Sequence, residues 1–182
     1  MSFAESSNRS IFDALRPFNR QSVARAVVAT YSLDLVATLG LILSLGGHGE
    51  AEYNSTPIEL VDAFEAMRGR LLILHQAGQV VAPRRHRGVL LLLDDMLQGI
   101  VTARSCSWHP KVALVRYLDE SGAHEWRFWI GSRNLTGSTD LDAGLLIVGR
   151  PSGNHRQFKD VARLAKDLLA DAKWTDEELA RA

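Results

Sequence analysis

The chain has 182 residues, 46% of them hydrophobic, with 21 basic and 21 acidic side chains and no formal net charge at neutral pH. That size suits one domain burying roughly 70% of the surface its unfolded chain exposes, and the charge balance excludes a global field that draws in nucleic acid. The single cysteine, Cys106, excludes an internal disulfide and fits a reducing, cytoplasmic setting.

Met1 to Glu5 shows neither a basic region ahead of an apolar run nor a cleavage site, so a soluble protein is expected. Residues 1–20 read as a lead-in, with a short helical piece from Phe12 to Phe18 that ends near Pro17. Val23 to Tyr31 reads as a buried strand. Asp34 to Leu45 is a helix closed by Gly46-Gly47. The most apolar stretch, Leu33 to Leu45, carries Asp34 and is too short to span a bilayer, so no stable membrane insertion is expected. Gly46-Gly47-His48-Gly49-Glu50 looks like a phosphate loop but lacks the lysine and the following helix. His48 and Glu50 do not make a metal site by themselves. Thr56, Pro57 and Glu59 form a capped helix start, and that helix runs to about Arg68.

Leu71 to Gln76 is the next strand, Leu90 to Leu97 a helix, and Ile100 to Ala103 a short strand. A hairpin follows, then a strand from Gly144 to Val148. From Asn154 to Ala172, Phe158, Val161, Leu164, Ala165, Leu168 and Leu169 recur at helical spacing. Thr175 and Glu178 form a capping box flanked by Trp174 and Leu179. Residues 173–182 therefore read as the start of a helix that is truncated or docks on a partner. Continuous apolar strands alternating with helices imply an α/β fold, a mixed β-sheet flanked by helices on both faces. No repeat or interdomain linker interrupts 1–182.

The hairpin carries the chemistry. His109 and Lys111 are two apart in Trp108-His109-Pro110-Lys111, so on a strand both side chains share a face. Ser132 and Asn134 are two apart in Gly131-Ser132-Arg133-Asn134, at the end of the next apolar run. A two-residue turn at Ser121-Gly122 sets Lys111 opposite Ser132 and His109 opposite Asn134. It also pairs Tyr117 with Trp126, Val115 with Phe128, Ala113 with Ile130 and Asp119 with His124. The same register puts Arg116 opposite Arg127, a like-charge conflict.

These residues resemble the phospholipase D superfamily, whose signature is His-x-Lys, four residues, Asp, and then Gly-Ser-x-Asn. His109-Pro110-Lys111 and Gly131-Ser132-Arg133-Asn134 match in order and spacing. Leu135-Thr136 and the strand-like Ala143 to Val148 extend the likeness, which is best over about 108–149. Arg116 occupies the position of the motif's aspartate, which in that family supports the fold around the site. The resemblance implies a phospholipase D-like half and a metal-independent phosphodiesterase. One histidine forms a phosphohistidine, and a second, from another copy of the motif, protonates the leaving group. His109 would take either role, with Lys111 and Asn134 clamping the phosphate and Ser132 in support. An acidic residue after the second motif orients a histidine, and Asp142 is the better candidate, with Asp140 second. No metal or organic cofactor is implied.

His48, His75, His86, His124 and His155 lack a lysine two residues on, so the chain holds one motif copy. A complete site then needs a homodimer with the site on its two-fold axis, or a second half on another polypeptide. For substrate, Arg84, Arg85 and Arg87 around His86 form a basic loop, and Arg104 and Arg133 lie near the motifs in sequence, a pattern suited to phosphate backbones. Small single-motif members of the family are often dimeric nucleases, and the sequence style resembles phospholipase D-like proteins of bacterial defence. The leading expectation is a nuclease on DNA or RNA. Phospholipid headgroup chemistry and a silent phosphate-binding assembly subunit are the alternatives. Tyr31-Ser32, at the first strand's end, could border the site, although ordinary turn chemistry is the plainer reading.

Overall fold

Val23 to Thr30, rich in valine and alanine, buries side chains on both faces of one strand, the signature of a sheet covered twice. The computed structural model describes residues 10–18, 20–48, 57–84, 88–103, 105–138, 142–150, 159–170 and 172. In chain order the elements are α1 (Ile11–Leu15), β1 (Ser22–Thr30), β2 (Leu33–Asp34), α2 (Leu35–Leu45), α3 (Pro57–Met67) and β3 (Leu71–Gln76). Then come β4 (Val80–Val81), a 3₁₀ helix (Gly88–Met96), β5 (Leu97–Ile100), β6 (Lys111–Leu118), β7 (His124–Gly131), β8 (Gly144–Gly149) and α4 (Lys159–Ala170).

Six strands form one sheet in the order β5-β3-β1-β6-β7-β8, parallel from β5 to β1 and antiparallel from β1 to β8. Ala26, Val28, Ile73, Ala113 and Val115 bury one face beneath α1, α2, α3 and the 3₁₀ helix. Ala29, Leu72, Leu74, Val112 and Phe128 bury the other, where Val161, Leu164, Leu168 and Leu169 of α4 pack. The fold is thus the mixed α/β sheet with helices on both faces that the apolar runs imply. Asp34 caps α2 by accepting from the Val36 N–H at 2.7 Å, which fixes where β1's exit turns into helix. Among the described residues no helix is long and apolar enough to cross a membrane. Thr56, His86, Asp140 and residues 173–182 lie outside the described residues.

The β6–β7 hairpin departs from the two-residue turn. The Asp119 N–H donates to the Ala123 carbonyl at 3.1 Å, the Gly122 N–H donates to the Asp119 carbonyl at 3.0 Å, and Gly122 has φ 80°. This is a three-residue loop that ends in a left-handed glycine. The cause is the Asp119 carboxylate, whose Oδ1 accepts from the Ser121 Oγ, the Ser121 N–H and the Ala123 N–H. Those hydrogen bonds, the Ser121 hydroxyl's first, hold its carboxyl below the usual carboxylate range. The odd loop length slides the register by one residue. Val112 now opposes Ile130, Val115 opposes Arg127, Arg116 opposes Trp126, Tyr117 opposes Glu125 and Leu118 opposes His124. Lys111 is accordingly not set opposite Ser132, nor His109 opposite Asn134. The slip also removes the Arg116–Arg127 conflict by sending the two guanidiniums to opposite faces. Arg116 lies over the Trp126 ring at 5.6 Å, while Arg127 is fully buried.

A second departure precedes the hairpin. Leu90, Leu93 and Met96 recur every three residues, which is the period of the 3₁₀ helix from Gly88 to Met96 rather than of an α-helix. Leu93 and Met96 are buried against the core, and Leu91 is 76% exposed. The strand accordingly starts at Leu97, which pairs with Ile73, and it ends at Ile100 instead of beginning there. Val101 is 84% exposed and belongs to the loop.

The outer edge of the sheet depends on two glycines. Gly131 pairs with Gly144, and the Trp129 indole lies across both. A Cβ on Gly144 would stand 2.1 Å from Trp129 Cζ2, and one on Gly131 would stand 2.8 Å from its Nε1. Gly144→Ala is expected to cost about 1–3 kcal/mol through this overlap, lowering Tm by on the order of 5 °C. Thermal denaturation checks it, and an unchanged Tm would mean that β8 moves away from Trp129 without cost.

Candidate active site

The parallel strand β1 and the antiparallel strand β6 bring Thr30 and Lys111 to the same end of the sheet, where they are register partners. His109 precedes β6 by two residues, and the lysine and imidazole side chains meet. Lys111 Nζ lies 2.7 Å from His109 Nδ1 and 3.4 Å from Nε2. An ammonium has only donors, so the ring nitrogen facing it is the one with a lone pair. The imidazole also packs on Tyr31, with ring centroids 4.5 Å apart and planes tilted by 44°. Tyr31 leaves β1 at this same end, so it contributes an aromatic wall to the site and not merely a turn.

The second motif is held here by two anchors. Thr30 is 2% exposed, and its Oγ1 accepts from the Leu135 N–H at 3.0 Å and donates to the Ser32 carbonyl at 2.9 Å. Leu135 forms a bridge with Leu33 and is itself buried, and its carbonyl accepts from the Asp34 N–H at 2.8 Å. At the other end, Asp142 Oδ1 accepts from the Ser132 Oγ at 2.8 Å, the Ser132 N–H at 3.1 Å and the Arg133 N–H at 3.2 Å. The Ser132 Oγ in turn accepts from the Ala143 N–H at 3.0 Å. Within one chain, then, Ser132 and Asp142 shape the Gly131–Asn134 turn.

Between these anchors lies a cavity of about 20 Å³, lined among others by Lys111, Arg133, Asn134, Asp142 and Trp129. That is room for about one water molecule. Asn134 Oδ1 is buried there without a hydrogen-bond partner among the described residues, and such an atom is completed by a ligand or water. A larger cavity, about 320 Å³, opens at the opposite pole, between Phe18, Arg20, Leu45 and Arg70. It contains none of the motif residues and lies beside the start of β1.

Arg84 is exposed just beyond β4, which pairs with β2 where β1 has ended, so it stands at the same end of the molecule as the motifs. Arg85, Arg87, Arg104 and Asp140 lie outside the described residues. The roles of Thr30, Trp129 and Gln76 are not legible in the motifs of the sequence. A strand-end threonine and a glutamine carry no pattern of their own, whereas Gly131 and Gly144 around Trp129 were a usable signal of a ring needing space.

No protein-family model and no curated protein matches the chain. Among solved structures it is similar to the yeast tyrosyl-DNA phosphodiesterase, at 14% identity and a TM-score of 0.46 over 88% of this chain and 37% of that one. It is similar also to a mutant of that enzyme, at 15% identity and a TM-score of 0.45 over 82% of this chain and 34% of that one. The chain thus spans between a third and two fifths of the length of those structures.

Proposed function

We propose that the chain is one phospholipase D-like half of a metal-independent phosphodiesterase acting on DNA or RNA, with the site completed by a second copy of the motif. The observation that carries this reading is the contact of Lys111 Nζ with the His109 imidazole, at the sheet end where Lys111, Arg133 and Asn134 share one cavity. A phosphate docking at the mouth of that cavity takes Lys111 and Arg133 as cationic partners of its non-bridging oxygens, and the Asn134 amide turns its N–H₂ toward them. One His109 attacks phosphorus and forms a P–N bond, and the P–O bond to the leaving oxygen breaks. A second His109 delivers the proton to that oxygen, then takes one from the water that hydrolyses the phosphohistidine. Arg84 supplies backbone contacts at the same end, with Arg85 and Arg87 of the same basic run as further partners of the phosphate backbone. Asp142 holds the second motif's turn, and the remaining Oδ2 is available to a histidine of the second copy.

The test is cleavage of labelled single- and double-stranded oligonucleotides by the purified chain with EDTA present. EDTA-resistant cleavage that vanishes in His109→Ala is the expected result. Cleavage that persists in the variant, or that requires added metal, would sink the phosphohistidine mechanism. Release of headgroups from phospholipid vesicles, with oligonucleotides left intact, would move the substrate to lipid.

A further inference from the structure

We infer that Gln76 is a positioning residue for His109, an inference that rests on His109 performing the chemistry. His109 lies outside β6, and Pro110 after it has no N–H to lend to the sheet, so the histidine depends on the loop before it. That loop, 101–108, contains neither helix nor strand among its described residues. One side chain ties both of its ends. Gln76 Oε1 accepts from the Trp108 N–H at 2.8 Å, and Gln76 Nε2 donates to Thr102 Oγ1 at 3.1 Å. Thr102 Oγ1 passes the link on by donating to the Cys106 carbonyl at 3.0 Å. The Gln76 backbone N–H meanwhile donates to the Tyr31 carbonyl at 3.1 Å.

A single residue at the end of β3 therefore fixes the backbone on both sides of the Tyr31–His109 ring contact. Trp108 is the residue directly before the histidine, and Tyr31 is the wall its ring leans on. Loosening this link leaves the phosphate-binding groups Lys111, Arg133 and Asn134 in place, because their anchors run through Thr30 and Asp142. The expected signature is a loss in turnover with little loss in substrate affinity, since displacements of about 1 Å at a reacting group cost on the order of 100-fold.

The experiment compares Gln76→Leu, Gln76→Glu and the wild-type chain. Gln76→Leu is expected to lower kcat by about 10–100-fold with KM within about threefold. Gln76→Glu, which keeps the acceptor for the Trp108 N–H, is expected to restore most of the rate. In parallel, the His109 Cε1 proton, shifted in NMR by the Tyr31 ring, is expected to move toward the free-imidazole position in Gln76→Leu while the rest of the spectrum stays dispersed. A kcat within about twofold of wild type together with an unmoved His109 signal overturns the proposal. If Gln76→Leu does not fold, Thr102→Val removes the other arm of the clamp and the same two readings decide. If the wild-type chain cleaves nothing, the proposed function fails by itself, and the His109 signal alone shows whether Gln76 sets the ring.

Discussion

Arg127→Met is expected to destabilise the protein by about 3–5 kcal/mol, lowering Tm by on the order of 10 °C. Arg127 is 0% exposed in the middle of β7, a position that alternation would assign to an apolar side chain. Its guanidinium is satisfied on every side. Nε donates to Glu125 Oε1 at 2.9 Å, Nη2 donates to Gln21 Oε1 at 2.9 Å, and Nη1 donates to the Arg16 carbonyl at 2.5 Å. The Phe18 and Tyr117 rings sandwich it at 4.0 and 4.3 Å. Tyr117 adds a hydrogen bond from its hydroxyl to the Leu15 carbonyl. The group thus sews the segment after α1 to the sheet, and removing it leaves Glu125, 3% exposed, with the solvent-facing Arg150 as its one cationic partner among the described residues, beside the neutral Gln21. Glu125→Leu added to Arg127→Met is expected to recover part of the loss, because it removes the stranded carboxylate. A wild-type Tm for the single variant would show that the box contributes nothing.

The same box sets an acid limit. Burial pushes the Glu125 carboxyl up, but hydrogen bonds from Arg127 and Arg150 outweigh it and hold the group below the usual carboxylate range. A carboxyl depressed in the folded state contributes stability that is complete above its unfolded value, about 4.5, and is lost as pH falls through the folded one. Unfolding measured from pH 7 downward should therefore steepen below about pH 4.5, and less so in Arg127→Met. Equal slopes in the two chains would assign the acid sensitivity to other carboxylates.

Where local chemistry and packing agree, the sequence is readable. β1 announces itself through a two-sided apolar run, and α2 through Asp34 at its start and Gly46-Gly47 at its end. The two-residue spacing of His109 and Lys111 is enough to foresee their meeting, and Gly131 to Asn134 is enough to foresee a loop at the same end. Reading fails where a side chain hydrogen-bonds its own neighbourhood. Asp119 recruits Ser121 and Ala123 and adds one residue to the turn, which moves every cross-strand pair without altering the apolar pattern enough to reveal it. The helix expected near Leu90 is present with a three-residue apolar period, and the sequence does not show that it ends at Met96 and gives way to β5 at Leu97. β2 and β4 have two residues each, too few for any periodicity. Arg127 and Gln76 escape notice because arginine and glutamine default to solvent, and only the tertiary fold supplies their partners.

Equal mixing of wild-type and His109→Ala chains is expected to retain about one quarter of wild-type activity, following the square of the wild-type fraction. His109 is the single histidine with a lysine two residues on. If one site straddles a two-fold axis and uses one His109 as nucleophile and the other as proton donor, only a dimer with both histidines completes a turnover. His109→Ala alone should then lose at least about 1,000-fold in rate, since nucleophile and acid vanish together. Independent sites, one per chain, would instead give about one half in the mixture, a linear dependence on the wild-type fraction. Co-expression of differently tagged chains, followed by light scattering to establish a dimer, makes the two laws separable. A quadratic curve places both histidines in one site. A linear curve, or a monomer at micromolar concentrations, removes the shared site and sends the search to a second half on another polypeptide.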